Sequence, residues 1–168
     1  MIRVICMKLF IKRDTSANGR TFVICDASGS EKYTTVTISS KVTPNANLQI
    51  RDTGGAVAAK IRRLPIPGTM TYVLKAYKTH IIFVIVPTQK GMYSYFYRTN
   101  WHINGNIAAK NFTVIDVDKT VVFHHIRHAG YAELDIKNED RELFCVAASV
   151  CVDLINTVEK HALKAANI

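Results

Sequence analysis

The residues best suited to metal chemistry are the three histidines of the segment HHIRH, His124, His125 and His128. A zinc site needs three or four His, Cys or carboxylate ligands that converge in a tetrahedron. If the segment is a strand, His124 and His128 share one face and His125 points to the other. The two on one face are then about 13 Å apart, too far to share an ion unless the chain bends or His80 or His102 joins them. Packed or surface histidines explain the segment more simply, and we predict no metal site.

Motifs for nucleophilic catalysis do not occur in the sequence. It has no Gly-x-Ser-x-Gly elbow, and Gly54-Gly55 is not followed by the Lys-Ser/Thr of a phosphate-binding loop. The four cysteines show no Cys-x-x-Cys spacing, so we interpret them as reduced thiols of a cytoplasmic protein. They are Cys6, Cys25, Cys145 and Cys151. We therefore predict a protein that is not an enzyme and uses no cofactor.

The charge of the sequence is basic and unevenly placed. The net charge is +9, and the first 100 residues carry 15 Lys or Arg against 4 Asp or Glu. The remaining residues carry 7 against 9. A one-sided basic surface attracts polyanions, which are either nucleic acid or an anionic bilayer. The alternative is that these charges only keep a small protein soluble.

The best candidate for anion binding is a group of basic residues on both sides of the connection 65–68. Lys60 and Arg62 share a strand face, and Lys75 or Lys78 would add to it if the two segments pair as neighbours. Each basic residue near an anionic bilayer contributes about 1 kcal/mol. The predicted ligand-binding residues are Lys60, Arg62, Arg63, Lys75 and Lys78. A solvated outer face of a strand is the alternative explanation.

Four aromatic residues could in principle stack on nucleic-acid bases. They are Tyr93, Tyr95, Tyr97 and Trp101. A spacing of two is explained more simply by one face of a strand.

Most of the chain has the β-branched and aromatic bias of strands. The predicted strands are 8–13, 20–26, 33–39, 47–52, 56–63, 71–78, 80–86, 92–98, 101–105, 106–116, 120–127 and 130–136. In 24–33, 50–61 and 115–126 an Asp closely follows a strand Ile and precedes turn-forming residues. Because Asp bonds its own backbone two residues on, each segment is predicted to be a hairpin. A dozen short strands cannot form a flat sheet in a chain of this size, and we predict a closed antiparallel β-barrel.

The segment near the carboxyl terminus is different in kind, because from Leu143 to Val152 only Ser149 is polar. It is too short to span a bilayer, which takes roughly 20 apolar residues. Asn138 can cap a helix here, with acidic residues in its first turns and the cations Lys160, His161 and Lys164 at its far end. A helix that is apolar on all faces is buried on all faces.

A barrel of twelve strands is too wide for its own side chains to fill, and this helix is predicted to fill it. The predicted residues of this central helix are Leu143, Phe144, Val146, Val150, Asp153 and Leu154. A buried carboxylate must be paired or hydrogen-bonded, so we expect Asp153 to fix the position of the helix by bonds to strand backbone.

A basic first strand, I-x-D-x-x-G hairpins and the final E-D-x-x-L-x-x-x-A-x-x-V-x-x-D helix follow one another along nearly the whole chain. In this order the sequence resembles the LURP-one-related proteins of the tubby C-terminal-like group, which also contains tubby and the phospholipid scramblases. The resemblance implies a twelve-stranded barrel around a central carboxy-terminal helix. Tubby binds phosphoinositides through basic residues on the barrel exterior and has been proposed to act in transcription. The cysteine cluster and acidic calcium loop that a scramblase would need are not present in this sequence.

We therefore expect a single tubby-like domain over residues 1–168, without enzymatic activity and without a transmembrane segment. It is expected to bind anionic phospholipid headgroups or another phosphorylated ligand through its basic exterior. The alternative is nucleic-acid binding by the same surface. The expected location is cytoplasmic, with peripheral attachment to a membrane as an option, and the oligomeric state stays open.

Overall fold

The structure is a computed structural model that describes residues 6–16, 20–38 and 47–155. This part of the chain forms twelve strands, a short 3-10 helix at Glu139–Arg141 and one α-helix, α1, at Glu142–Asp153. The strands are β1 (Met7–Arg13), β2 (Arg20–Asp26), β3 (Glu31–Ile38), β4 (Asn47–Asp52), β5 (Val57–Leu64), β6 (Met70–Ala76), β7 (Thr79–Thr88), β8 (Gly91–Tyr97), β9 (His102–Asn106), β10 (Asn111–Ile115), β11 (Val121–His128) and β12 (Tyr131–Ile136).

All twelve strands belong to one antiparallel sheet that curls into a barrel. The strand order is β8-β7-β6-β5-β4-β3-β2-β1-β12-β11-β10-β9, so β1 pairs with β12 and every other pair is a simple hairpin neighbour. The two edge strands, β8 and β9, approach each other without a hydrogen-bonded ladder. The predicted antiparallel barrel is confirmed, and its wall has one open seam between β8 and β9.

The helix α1 runs through the middle of this barrel. It contacts β5 and β6 on one side and β11 and β12 on the other, and these pairs are opposite each other in the strand order. The whole run Phe144–Asp153 is buried, while Leu143 and Leu154 are half-buried at its two ends. Leu154 lies one residue beyond the helix. The prediction of a helix that fills the barrel is confirmed.

The core forms because alternate strand residues point inward onto α1. Leu74, Phe83, Phe123 and Leu134 are fully buried members of this core. The helix itself presents small side chains at Ala147, Ala148, Ser149 and Cys151. These side chains keep it thin enough to fit between the walls. No helix among the described residues is long and apolar enough to cross a membrane.

Two of the predicted hairpins are nearly identical in their hydrogen bonds. In the β2–β3 and β4–β5 turns, Oδ1 of Asp26 and Oδ1 of Asp52 each accept the backbone N–H groups two and four residues later, at 2.9 to 3.0 Å. Gly29 and Gly55 follow with φ of +85° and +83°. The third hairpin, between β10 and β11, differs, because the Asp116 carboxylate accepts the Val117 N–H at 2.7 Å and Asp118 accepts the N–H two residues on at 3.0 Å.

Most strand boundaries agree with the prediction to within one or two residues, and two differences affect turns. Residues 107–110 form the turn between β9 and β10 instead of opening a long strand. The β6–β7 turn consists of Tyr77 and Lys78, which the prediction placed in a strand, and both have positive φ, 51° and 60°. Such a turn usually requires Asn or Gly. Contacts with the helix hold it here, because Tyr77 Oη accepts the Leu143 N–H at 3.0 Å and the Tyr77 ring meets Phe144 edge-on at 5.6 Å.

The capping and charged residues that the sequence predicted at the helix ends agree only in part with the structure. Asn138 precedes the 3-10 helix, but its side chain makes no capping hydrogen bond. Glu142, the first residue of α1, binds Lys32 Nζ at 2.6 Å and accepts the Tyr33 hydroxyl at 3.0 Å. The expected cations Lys160, His161 and Lys164 lie outside the described residues.

Candidate anion-binding surface

The charge of the barrel is divided between its two halves. Residues 53 to 115, which include β5 to β10, contain no Asp or Glu and eight Lys or Arg. These six strands are contiguous around the ring, because β8 and β9 meet at the seam. One half of the barrel wall is therefore free of acidic side chains.

In the other half, several basic side chains have acidic partners. The ion pairs there include Lys8–Glu133 at 3.0 Å, Arg20–Asp14 at 2.7 Å, Lys32–Glu142 at 2.6 Å and Lys137–Asp135 at 2.9 Å. The hydrogen bond between Lys8 and Glu133 raises the pKa of Lys8 and lowers the pKa of Glu133. These cations are neutralised within the protein and are poorly suited to hold a ligand.

Four of the five predicted binding residues are exposed on the acid-free half. Lys60, Arg62, Lys75 and Lys78 are all exposed, and none forms an ion pair within the part of the chain that the structure describes. We call these four residues the basic face. Their location on one side of the barrel matches the grouping expected from sequence.

Strand register places the basic face in detail. Lys60 and Arg62 point outward from β5, alternating with the buried Ala59 and Ile61. Lys60 is directly opposite Lys75 of β6, so their Cα atoms are about 5 Å apart. Like charges directly opposite each other destabilise a sheet. This pair thus costs stability unless an anion binds there.

Lys78 is held close to this pair by the turn it occupies. It follows Tyr77, whose hydroxyl and ring are fixed on the start of α1. The turn closes at the pair Ala76–Thr79, one register position beyond Lys75–His80. The exposed Lys78 therefore extends the basic face toward the end of the barrel where the helix begins.

Arg63 does not share the basic face. It is next to Arg62 on β5 and so points to the opposite side of the sheet, opposite the buried Tyr72. Arg63 is half-buried, and its charge acts on the buried thiol of Cys151, whose pKa is raised by burial. The structure brings together four of the five predicted residues and leaves Arg63 on the inner side.

The aromatic residues near the basic face are divided between surface and core. Tyr93, Tyr95 and Tyr97 point outward from β8, as their spacing indicated, and are 61%, 41% and 55% exposed. Trp101 is buried and packs edge-on against Phe96 at 5.5 Å. Trp101 is therefore part of the core and cannot stack on a base.

The three histidines of the HHIRH segment alternate across the wall as expected. His124 and His128 lie on the outer side, with His124 Nδ1 2.7 Å from Thr113 Oγ1 and His128 Nε2 3.1 Å from Glu133 Oε2. His125 is fully buried on the inner side. In the described residues no three His, Cys, Asp or Glu side chains are placed to hold a metal ion.

His125 has a role that the sequence prediction missed, as the partner of Asp153. His125 Nδ1 donates to the Lys110 carbonyl at 2.7 Å, and its Nε2 lies 3.3 Å from Asp153 Oδ1. Arg127 Nη1 lies 3.9 Å from the same oxygen. The Asp153 carboxylate, 1% exposed, accepts no hydrogen bond from the strand backbone that the structure describes. The expected bonds to backbone are thus replaced by contacts with inward side chains of β11.

A twelve-stranded antiparallel barrel around a central helix places the chain in the tubby-like class of folds. The model of the LURP-one-related family matches residues 7–153. The chain belongs to this family, as the resemblance in its sequence indicated.

The comparison with solved structures agrees with this assignment at the level of the fold. The chain is similar to an X-ray structure of a protein from Arabidopsis thaliana, with a TM-score of 0.57 and 11% sequence identity. The similarity covers 89% of this chain and 91% of the Arabidopsis chain. No curated protein matches the sequence.

Proposed function

We propose that the protein is a non-enzymatic binding module that holds anionic phospholipid headgroups, or another phosphorylated ligand, on its basic face. One observation carries this proposal. Exposed Lys60 and Lys75 are directly opposite each other on a half of the barrel that has no acidic side chain. A bound phosphate would supply the counter-charge that the protein does not.

The side chains of the basic face suit phosphate oxygens. Lys60 and Lys75 offer ammonium groups with three donors each, and Arg62 offers the planar guanidinium fork that matches a phosphate. Hydrogen bonds between charged groups are about twice as strong as neutral ones. At about 1 kcal/mol for each basic residue near a bilayer, four residues give weak and reversible binding that falls as salt rises.

Nucleic-acid binding is the alternative function for the same cations, with the exposed tyrosines of β8 as stacking groups. The basic face lies on the convex outer wall of the barrel. Proteins that bind single strands usually run the backbone through a positively charged groove. A convex wall is better suited to the broad surface of a bilayer, and we favour the lipid.

The same proposal includes a cytoplasmic location. The anionic lipids that would attract the basic face are concentrated in the cytoplasmic leaflet, and their attraction acts within about a Debye length. We propose peripheral and reversible attachment to that leaflet.

The test is co-sedimentation of the purified protein with vesicles of phosphatidylcholine alone and of phosphatidylcholine mixed with phosphatidylserine. We expect binding only to the mixed vesicles at low salt, and its loss at high salt. Equally poor sedimentation with both vesicles at low salt would overturn the lipid proposal. Binding of inositol hexakisphosphate, a soluble polyphosphate, without binding to vesicles would indicate a free phosphorylated ligand. A gel shift with DNA or RNA at about 50 mM salt would indicate a nucleic-acid ligand.

A further inference from the structure

The surface beside the basic face is aromatic and aliphatic. On β8, Tyr93, Tyr95 and Tyr97 are directly opposite Val86, Val84 and Ile82 of β7. Val84 is only 4% exposed although it faces outward, so its neighbours cover it. We call the outward side chains of β8 and β7, Tyr93, Tyr95, Tyr97, Ile82 and Val86, the tyrosine face.

The tyrosine face is continuous with the basic face. One row of the register runs from Tyr97 through Ile82 and Val73 to Arg62. With neighbouring strands about 4.8 Å apart, Tyr97 and Arg62 are roughly 15 Å apart along the wall. The strands between them contain no carboxylate. A partner that lies against β6 and β7 can therefore contact the tyrosine face on one side and Lys75 of the basic face on the other.

We propose that the tyrosine face inserts at the headgroup level of an anionic bilayer while the basic face holds the lipid phosphates. This inference rests on the proposed function and adds the orientation of the barrel and a second source of affinity. Tyrosine has an apolar ring and a polar hydroxyl, and it is enriched where a membrane meets water. Long Lys side chains can cover apolar surface while their charge stays with the phosphates.

The shape of the barrel fits this orientation. Around a ring of twelve strands, neighbouring strands turn by roughly 30°. A bilayer that rests on β7 therefore meets Tyr95 on β8 at one side and Lys75 on β6 at the other. The charge of the wall argues for an anionic partner, because the whole half from β5 to β10 is acid-free.

The first experiment replaces the three tyrosines with serine in one variant. We expect its affinity for phosphatidylserine-containing vesicles to fall by roughly tenfold, because the apolar contribution to interfacial binding is lost. At raised salt, where the electrostatic contribution is screened, the variant should lose its remaining binding before the wild type does. Binding of inositol hexakisphosphate, which contacts only the basic face, should not change.

The second experiment tests insertion of the tyrosine face with single substitutions that keep an aromatic ring. It remains informative if the triple variant fails to fold. Tyr93→Trp adds a fluorescent ring at the most exposed tyrosine, and Phe10→Trp adds one on the outer side of β1, on the far wall. The native Trp101 is buried and gives a common background. Vesicles with brominated acyl chains should quench Tyr93→Trp well beyond the wild type and should leave Phe10→Trp near it.

The outcomes distinguish insertion of the tyrosine face from the binding of anionic lipid by the basic face, on which it rests. If the wild type does not sediment with anionic vesicles, both are overturned. If the wild type sediments but Tyr93→Trp is quenched no more than Phe10→Trp, the tyrosine face does not insert and only this inference is overturned.

Discussion

At the scale of single residues, the Lys60–Lys75 pair lowers the stability of the fold and favours the binding of an anion. The two ammonium groups are directly opposite each other on the outer wall, and within the described residues no carboxylate offsets them. Functional sites commonly keep such unfavourable pairs, and relieving them raises stability at the expense of function. The sequence indicated that the residues belong together, but only the register shows that they face each other.

The repulsion between Lys60 and Lys75 predicts that Lys75→Glu stabilises the fold. An opposite-charge pair with Lys60 replaces a like-charge pair, and the free energy of unfolding should rise by up to about 1 kcal/mol. Urea unfolding of the variant and the wild type measures this change. Lys12→Glu is the matched control, because exposed Lys12 pairs with Tyr131 and Val23 and relieves no repulsion there. A decrease in stability for Lys75→Glu would contradict the described register.

Asp153 and His125 form the second informative pair of residues. The sequence suggested that Asp153 is structural, and alternation in the HHIRH segment placed His125 on the face opposite His124 and His128. It could not show that the two meet, since one lies on the last turn of α1 and the other on β11. Their meeting depends on the angle at which the helix crosses the barrel.

Asp153→Leu should destabilise the protein by about 1–3 kcal/mol, because it leaves the buried His125 Nε2 without any polar partner. The change in the midpoint of chemical unfolding measures it. Asp118→Asn, in an exposed turn where an amide oxygen can accept the same bond from Thr120, should cost much less. Equal stabilities for the two variants would mean that the contact with His125 contributes nothing.

At the scale of elements, the central helix was the most predictable part of the fold. A segment too short for a bilayer and apolar on every face can only be buried in protein, and the structure buries it inside the barrel. The turn between β6 and β7 was the least predictable, because Tyr77 and Lys78 carry no turn signal. Their left-handed conformation depends on contacts with α1, which lies 65 residues away in the sequence, as the gap from Tyr77 to Glu142 shows.

Val150→Asp tests the burial of the helix. Val150 is fully buried, and an unpaired charge there should cost several kcal/mol against a total stability of about 5 to 15. We expect loss of the cooperative thermal transition. Val117→Asp, at a side chain that is 67% exposed, is the control and should leave the melting temperature nearly unchanged. A Val150→Asp variant that melts like the wild type would show that the helix is not enclosed.

Thiol reactivity tests the same burial without mutation. Cys145 and Cys151 lie on α1, and burial raises the pKa of both thiols, which keeps them protonated as well as inaccessible. A thiol reagent at pH 8 should react quickly with Cys6 and Cys25 and with the two helix cysteines only after unfolding. Rapid reaction of all four in the native protein would contradict the enclosed helix.

At the scale of the whole molecule, the division of charge is the feature that links the fold to a function. The basic balance of the first 100 residues was visible in the sequence. That β5 to β10 form one contiguous half, with β8 beside β9, follows only from the closure of the barrel. Strand alternation leaves Arg63 out of the basic face, because it follows the outward Arg62 on β5 and so points to the inner side.

The most direct test of the account compares vesicle binding of Lys75→Glu and Lys12→Glu. Both variants change the net charge equally, but Lys75 belongs to the basic face and Lys12 lies on the opposite wall. We predict that Lys75→Glu weakens binding to phosphatidylserine-containing vesicles by roughly tenfold or more, while Lys12→Glu stays close to the wild type. Equal losses for the two variants would show that net charge alone drives binding, and would contradict a specific site on the acid-free half.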